Sequence, residues 1–243
     1  MLDAALARPD SDEQRFYLEE GLKVALVVFM VLGITSRLEQ AGIVAGFAAM
    51  LTGLAERPGS LRERTLDLAL FAALGIVPII LASQIGDNSA RLLALLFVLT
   101  AAFTALSGYG ERVAHVGWVL TVWTTLALGF RTWESVPVSY FGYACGSLMV
   151  MFAAIVPAIL RGADLTAAAD HSRLFPGRDE PLSQLIAFTL IKATAVSLAG
   201  LVGQHFFRLN VFWVALTTTL MMPPTFTIHW NRMWHRAIGT VLG

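Results

Sequence analysis

The feature that most limits what this chain can become is a run of apolar segments, each near the length needed to cross a lipid bilayer. Tyr17 to Thr35, Ala41 to Ala55, Leu66 to Ser83, Leu92 to Ser107, Val113 to Phe130 and Val136 to Leu160 follow one another with short polar breaks. About 20 apolar residues, each rising 1.5 Å, cross a hydrocarbon layer of about 30 Å. Backbone in lipid must satisfy its own polar groups, so these segments are predicted to be helices. Composition argues against a soluble bundle. Of 243 residues 56% are hydrophobic and 14% charged, with mean hydropathy +0.68, whereas soluble domains carry about 25% charged residues.

The first long polar stretch comes only after these six segments, at residues 161–183 (RGADLTAAADHSRLFPGRDEPLS). Leu185 to Phe207 and Leu209 to Met222 then follow, and a ninth segment opens near Trp230. The first sixteen residues carry four acids and no long apolar core, so they do not read as a cleaved signal peptide. The formal charge of zero gives no nucleic-acid footprint. The single cysteine, Cys145, excludes an intramolecular disulfide and a thiolate metal cluster.

Lysine and arginine favour the cytoplasmic side. With the N-terminus inside, eleven arginines fall in inner segments, Arg57, Arg64 and Arg112 among them, against Arg37, Arg91, Arg131 and Arg208 outside. Trp133 and Tyr140 then sit at the outer interface, and Trp230 and Trp234 at the inner one.

Part of the order repeats. Lys23 and Leu32 recur as Lys192 and Leu201 at an offset of 169, and Arg64, Ala69, Leu74 and Gly75 as Arg232, Ala237, Leu242 and Gly243 at an offset of 168. The shared order is a lysine-bearing span, a short span, proline, an arginine-rich turn and a new span. Six spans return the chain to its starting side, which predicts parallel repeats related by an axis along the membrane normal. The expected fold is an all-α integral membrane protein. It divides into a cytoplasmic tail (1–15), a six-helix transmembrane unit (16–160), a polar cytoplasmic linker (161–183) and the first two to three helices of a second repeat (184–243). From Trp230 onward fourteen residues are too few to cross, so the second repeat is expected to continue past Gly243.

The stretch Val211 to Gly243 adds a family resemblance. It holds an apolar segment ending at Met221-Met222, the pair Pro223-Pro224, and a basic aromatic run containing Arg232, then Arg236-Ala237-Ile238-Gly239-Thr240. This order resembles the fusaric-acid-resistance-like family of aromatic acid exporters, whose motif matches Pro223, Arg232, Arg236, Gly239 and Thr240. The resemblance implies two repeated halves and efflux of aromatic or other hydrophobic carboxylic acids across a bacterial inner membrane, driven by protons. A passive anion channel and a non-transporting scaffold are the alternatives.

Enzyme signatures are missing: there is no phosphate loop, no Gly-x-Ser-x-Gly elbow and no His-Glu-x-x-His helix. His229 and His235 are six apart and diverge on a helix, so no metal site is expected. No enzyme activity and no cofactor are expected. The expected partners are membrane lipids and a small organic anion, with a homo-oligomer or periplasmic adaptor left open and no nucleic acid.

Transport leaves other marks. Lys192 lies nine residues past Ser183, about 13 Å into its span, with no acid at i±3 or i±4. A cation at such depth is a candidate contact for a carboxylate. Lys23 occupies the matching place beside Glu19 and Glu20, where snorkelling to the interface also accounts for it. The short segments Ala41 to Ala55, with Gly42, Gly46 and Gly53, and Leu209 to Met222 are the second location, because broken helices at matching repeat positions expose backbone groups. Phe212, Trp213, Thr217, Thr218 and Thr219 become lining candidates; the alternative is that these threonines bond back to their own helix and that Gly42, Gly46, Gly142 and Gly146 are packing faces. Asp67 reads as an i,i+3 partner of Arg64, and His115 as an interfacial histidine beside Arg112.

Overall fold

Lipid supplies no hydrophobic drive between helices, so small residues that let backbones approach set the packing. The computed structural model describes residues 11–35, 40–85, 88–130, 136–160, 162, 181–206 and 211–222, with no strand among them. In chain order the elements are α1 (Ser11–Thr35), α2 (Gln40–Ala55), α3 (Leu61–Leu74), α4 (Ile76–Ile85), α5 (Ser89–Ala105), a 3₁₀ turn (Leu106–Tyr109), α6 (Glu111–Phe130), α7 (Val136–Leu160), α8 (Leu182–Phe206) and α9 (Val211–Met221). Among the described residues, four stretches are long and apolar enough to cross a membrane: Leu61–Ile85, Ser89–Tyr109, Pro137–Leu160 and Leu182–His205. The apolar stretches Gly21–Thr35, Ala41–Ala55 and Phe212–Met221 are shorter. This is an all-helical chain of membrane character. The helix α1 starts at Ser11, inside the expected tail, and α8 starts at Leu182, before the expected end of the linker.

Glycines bind α2 on two sides. On one, Gly46 faces Leu32 and Gly53 faces Val24 of α1; on the other, Gly142 and Gly146 of α7 ride over the carbonyls of Ala41 and Ala45. A Cβ at Gly142 would stand 2.6 Å from the Ala41 carbonyl oxygen, and one at Gly146 would strike that of Ala45. The packing reading of these glycines is the one realised.

The centre of the bundle is α6, buried around almost its whole circumference from Val113 to Leu128. A helix enclosed by protein tolerates polar side chains that lipid would not. Thr121 and Thr124 donate to the carbonyls of Gly117 and Leu120, each four residues back. Four helices close a ring in which α5 packs on α6, α6 on α9, α9 on α8, and α8 on α5. The other side of α6 meets α2, α3 and α4, with α7 packed across α2, α3 and α4. Phe29, Phe152, Leu160 and Ile191 are exposed on the outer faces, as a lipid-facing surface requires.

The third span is not continuous. It breaks at Gly75, and two aromatic donors from neighbouring helices take up carbonyls there. Trp123 Nε1 donates to Gly75 O at 2.6 Å, and the Tyr143 hydroxyl donates to Phe71 O at 2.7 Å and lies 3.1 Å from Ala72 O. The start of this span is set by a capping box: Ser60 Oγ accepts the Glu63 N–H, and Glu63 Oε2 accepts the Ser60 N–H at 2.8 Å. Before α6 the chain turns at Gly110 with φ +115°, a conformation that favours glycine.

Candidate functional site

Lys192 is where the sequence reading and the structure meet. Leu185, Phe188, Lys192, Val196 and Gly200 recur at three- and four-residue spacing and form the buried stripe of α8. That spacing turns the lysine into the ring of four helices rather than toward lipid. Lys192 is 1% exposed, with Nζ 5.7 Å from the centroid of the Phe188 ring. An ammonium over an aromatic face is held by the ring quadrupole, an attraction that grows when water is excluded.

The register of the ring follows from its glycine contacts. Gly200 faces Leu93 and Leu96 of α5, where an added Cβ would lie 3.1 and 3.2 Å from their side chains. Gly129 of α6 faces Phe212 of α9, and Trp118 Nε1 donates to Thr219 O at 3.0 Å, so α6 and α9 are antiparallel. The short turn joining α5 to α6, the mere four residues of sequence between α8 and α9, and the approach of Gly200 to Ala215 then make α5 antiparallel to α8. Eight residues back from Gly200, about 12 Å along α8, Lys192 stands level with the Thr100 to Thr104 turn of α5. Gly117 rides over the Phe103 carbonyl, so that level lies about 9 Å in from the start of α6. The depth judged from α8 alone is larger, because α8 begins before its neighbours do.

Unpartnered polar atoms lie on α5 and α8 at and beyond this level. The hydroxyl oxygens of Thr100, Thr104, Thr189 and Ser197 are buried with no hydrogen-bond partner among the described residues. Nothing in the sequence singles these four out from other membrane threonines and serines; only their failure to bond back does.

The remaining expected residues fall elsewhere. Lys23 is half-buried on α1, which packs on α2 and α7, so Lys23 and Lys192, expected at matching places, have different neighbours. Trp213 and Thr217 are exposed on the outer face of α9. Thr217, Thr218 and Thr219 each donate at 2.9 Å to the carbonyl four residues back, which spends the hydroxyl protons that were to meet a carboxylate. Pro223, Arg232, Arg236, Gly239 and Thr240 lie outside the described residues, as do His229 and His235. No group of His, Cys, Asp and Glu able to hold a metal ion occurs among the described residues.

A second polar centre closes one end of the bundle. Arg112, at the start of α6, reaches both carboxylate oxygens of Asp67 through Nε at 2.8 Å and Oδ2 through Nη2 at 2.7 Å. Its remaining donors go to Pro58 O at 3.1 Å and Arg57 O at 3.0 Å, with Glu63 Oε2 3.6 Å from Nη1. Arg64 pairs with Glu56, and Arg57 pairs with Glu111 at 3.0 Å. The expected Arg64–Asp67 pair is therefore replaced. Arg112, 45 residues away, offers a planar fork that fits the Asp67 carboxylate, while Arg64 turns back to the end of α2. His115 Nε2 is 2.7 Å from Leu54 O; a carbonyl only accepts, so Nε2 carries the proton. Arg57, Arg64 and Arg112 thus share one end of the bundle.

The chain matches no protein-family model, no curated protein and no solved structure.

Proposed function

We propose that this protein moves small aromatic or hydrophobic carboxylates across a membrane, as an exporter from the cytoplasm of a bacterial cell, with the N-terminus and the Arg112 cluster on the cytoplasmic side. The observation that carries this reading is Lys192, 1% exposed inside a ring of membrane-type helices. A purely structural lysine would be expected to snorkel to the interface, since burying an ammonium in a low-dielectric interior costs several kcal/mol. Retaining it there suits a site that receives an anion. The likeness of residues 211–243 to the aromatic acid exporters supports the substrate class. The proton gradient is the proposed energy source, and no catalysis is assigned.

The test is uptake of labelled benzoate into inverted membrane vesicles carrying the protein, with and without a pH gradient, for the wild type and Lys192→Leu. Gradient-driven uptake in the wild type that the substitution abolishes, at equal membrane insertion, is the expected result. Background uptake in both would remove the transport reading and leave a membrane scaffold. Uptake that follows the anion gradient alone would make the protein a channel.

A further inference from the structure

Threonine and serine hydroxyls inside a membrane bundle have an easy remedy: they rotate and donate to the carbonyl three or four residues back. Thr35, Thr52, Thr65, Thr121 and Thr124 do this here, as do the three threonines of α9. Thr100 and Thr104 do not, although they are 0% and 3% exposed, and neither do Thr189 and Ser197. A buried hydroxyl without a partner loses the hydrogen bond that water would give it. All four lie on α5 and α8, the two helices that pack face to face.

Their placement is common as well. Thr100 and Thr104 follow Leu93 and Leu96 at helical spacing, on the face of α5 that meets Gly200. Thr189 is eleven residues from Gly200, three turns of helix, and so returns to the same side of α8. It lies one turn from Lys192, whose level matches Thr100 to Thr104. Ser197 carries the polar lining about 7 Å further along α8.

We infer that Thr100, Thr104 and Thr189 form, with Lys192, a carboxylate-binding subsite between α5 and α8. This inference rests on the transport reading and names where the substrate's charge is held. A carboxylate presents acceptor positions on two oxygens and no donor, which suits three unpartnered hydroxyls beside an ammonium. The Phe188 ring beside Nζ offers an aromatic face to the body of the ligand.

The experiment is equilibrium binding of labelled benzoate to the purified protein in lipid nanodiscs, read together with thermal melting and with benzoate uptake in proteoliposomes. Thr100→Val and Thr104→Val are each expected to weaken binding about tenfold, the loss of one hydrogen bond to a charged group. Their melting temperatures are expected to hold or rise, because each removes an unpartnered hydroxyl. Thr104→Ser, which keeps the hydroxyl, is expected to bind like the wild type, and benzamide is expected not to compete. Wild-type transport with unchanged binding in both valine variants overturns the subsite and leaves the transport reading standing. Lowered melting with unchanged binding also overturns it, since the hydroxyls would then be structural. No benzoate binding or uptake by the wild type overturns both.

Discussion

The Arg112–Asp67 pair allows an effect on stability to be worked through. Asp67 is 1% exposed and accepts three close contacts from one guanidinium. Its other contact is the Arg57 N–H at 3.4 Å. Replacing Arg112 by Met strands this carboxylate with a single weak donor, and breaking a buried pair in this way costs about 3–5 kcal/mol. Replacing Asp67 by Asn is milder. Arg112 keeps the carbonyls of Arg57 and Pro58 and has Glu63 at 3.6 Å, so about 2 kcal/mol is expected, near the value for one hydrogen bond to a charged group. The double variant carries neither charge and should cost less than the two single changes together, by a coupling of about 2 kcal/mol. The assay is reversible unfolding in mixed detergent micelles, with helical content followed by circular dichroism for all four proteins. Strict additivity would refute the direct pairing, and a loss below about 0.5 kcal/mol for Arg112→Met would refute the claim that Asp67 depends on it.

Three further outcomes are expected. Gly146→Ala should destabilise by about 1–3 kcal/mol by driving a methyl into the Ala45 carbonyl, whereas Gly21→Ala, which meets nothing within 4 Å, should not; the same unfolding assay separates them. Trp123→Phe removes the donor to Gly75 O and should cost about 1–3 kcal/mol, with faster amide exchange around the break in the third span; unchanged exchange would mean that the break does not need the indole. Trp213→Ala and Thr217→Ala should leave benzoate uptake within about twofold of the wild type, because the indole is exposed on the outer face and the hydroxyl is bonded to its own helix; a KM raised tenfold at unchanged expression would return these residues to the site.

Much of the helix series was legible because bilayer length and hydropathy are local. The segments from Ala41 to Ala55 and from Val136 to Leu160 reappear as α2 and α7 almost to the residue. Lys192 was legible for the same reason, as a charge set in an apolar run. The break at Gly75 was missed. The sequence shows Gly75 and Pro78 within an apolar stretch, but whether such a stretch bends depends on donors such as Trp123 and Tyr143 arriving from other helices. The role expected of Thr217 and Thr219 came from their place in a short segment and from residue type, and neither says which way a hydroxyl turns.

What the sequence determined by itself is the class of molecule, a set of apolar helices with a few charges held among them, since each segment's hydropathy belongs to that segment. Tertiary structure alone decided which charge answers which and which hydroxyls are left over. Arg112 finds Asp67 across 45 residues, and among the described residues Thr100 and Thr104 stay unpartnered while Thr121 and Thr124 do not. A helix apolar on nearly every side carries little information about its own rotation or depth. Those two quantities are set by how its glycines and small residues seat against its neighbours, and they determine where each polar atom ends up.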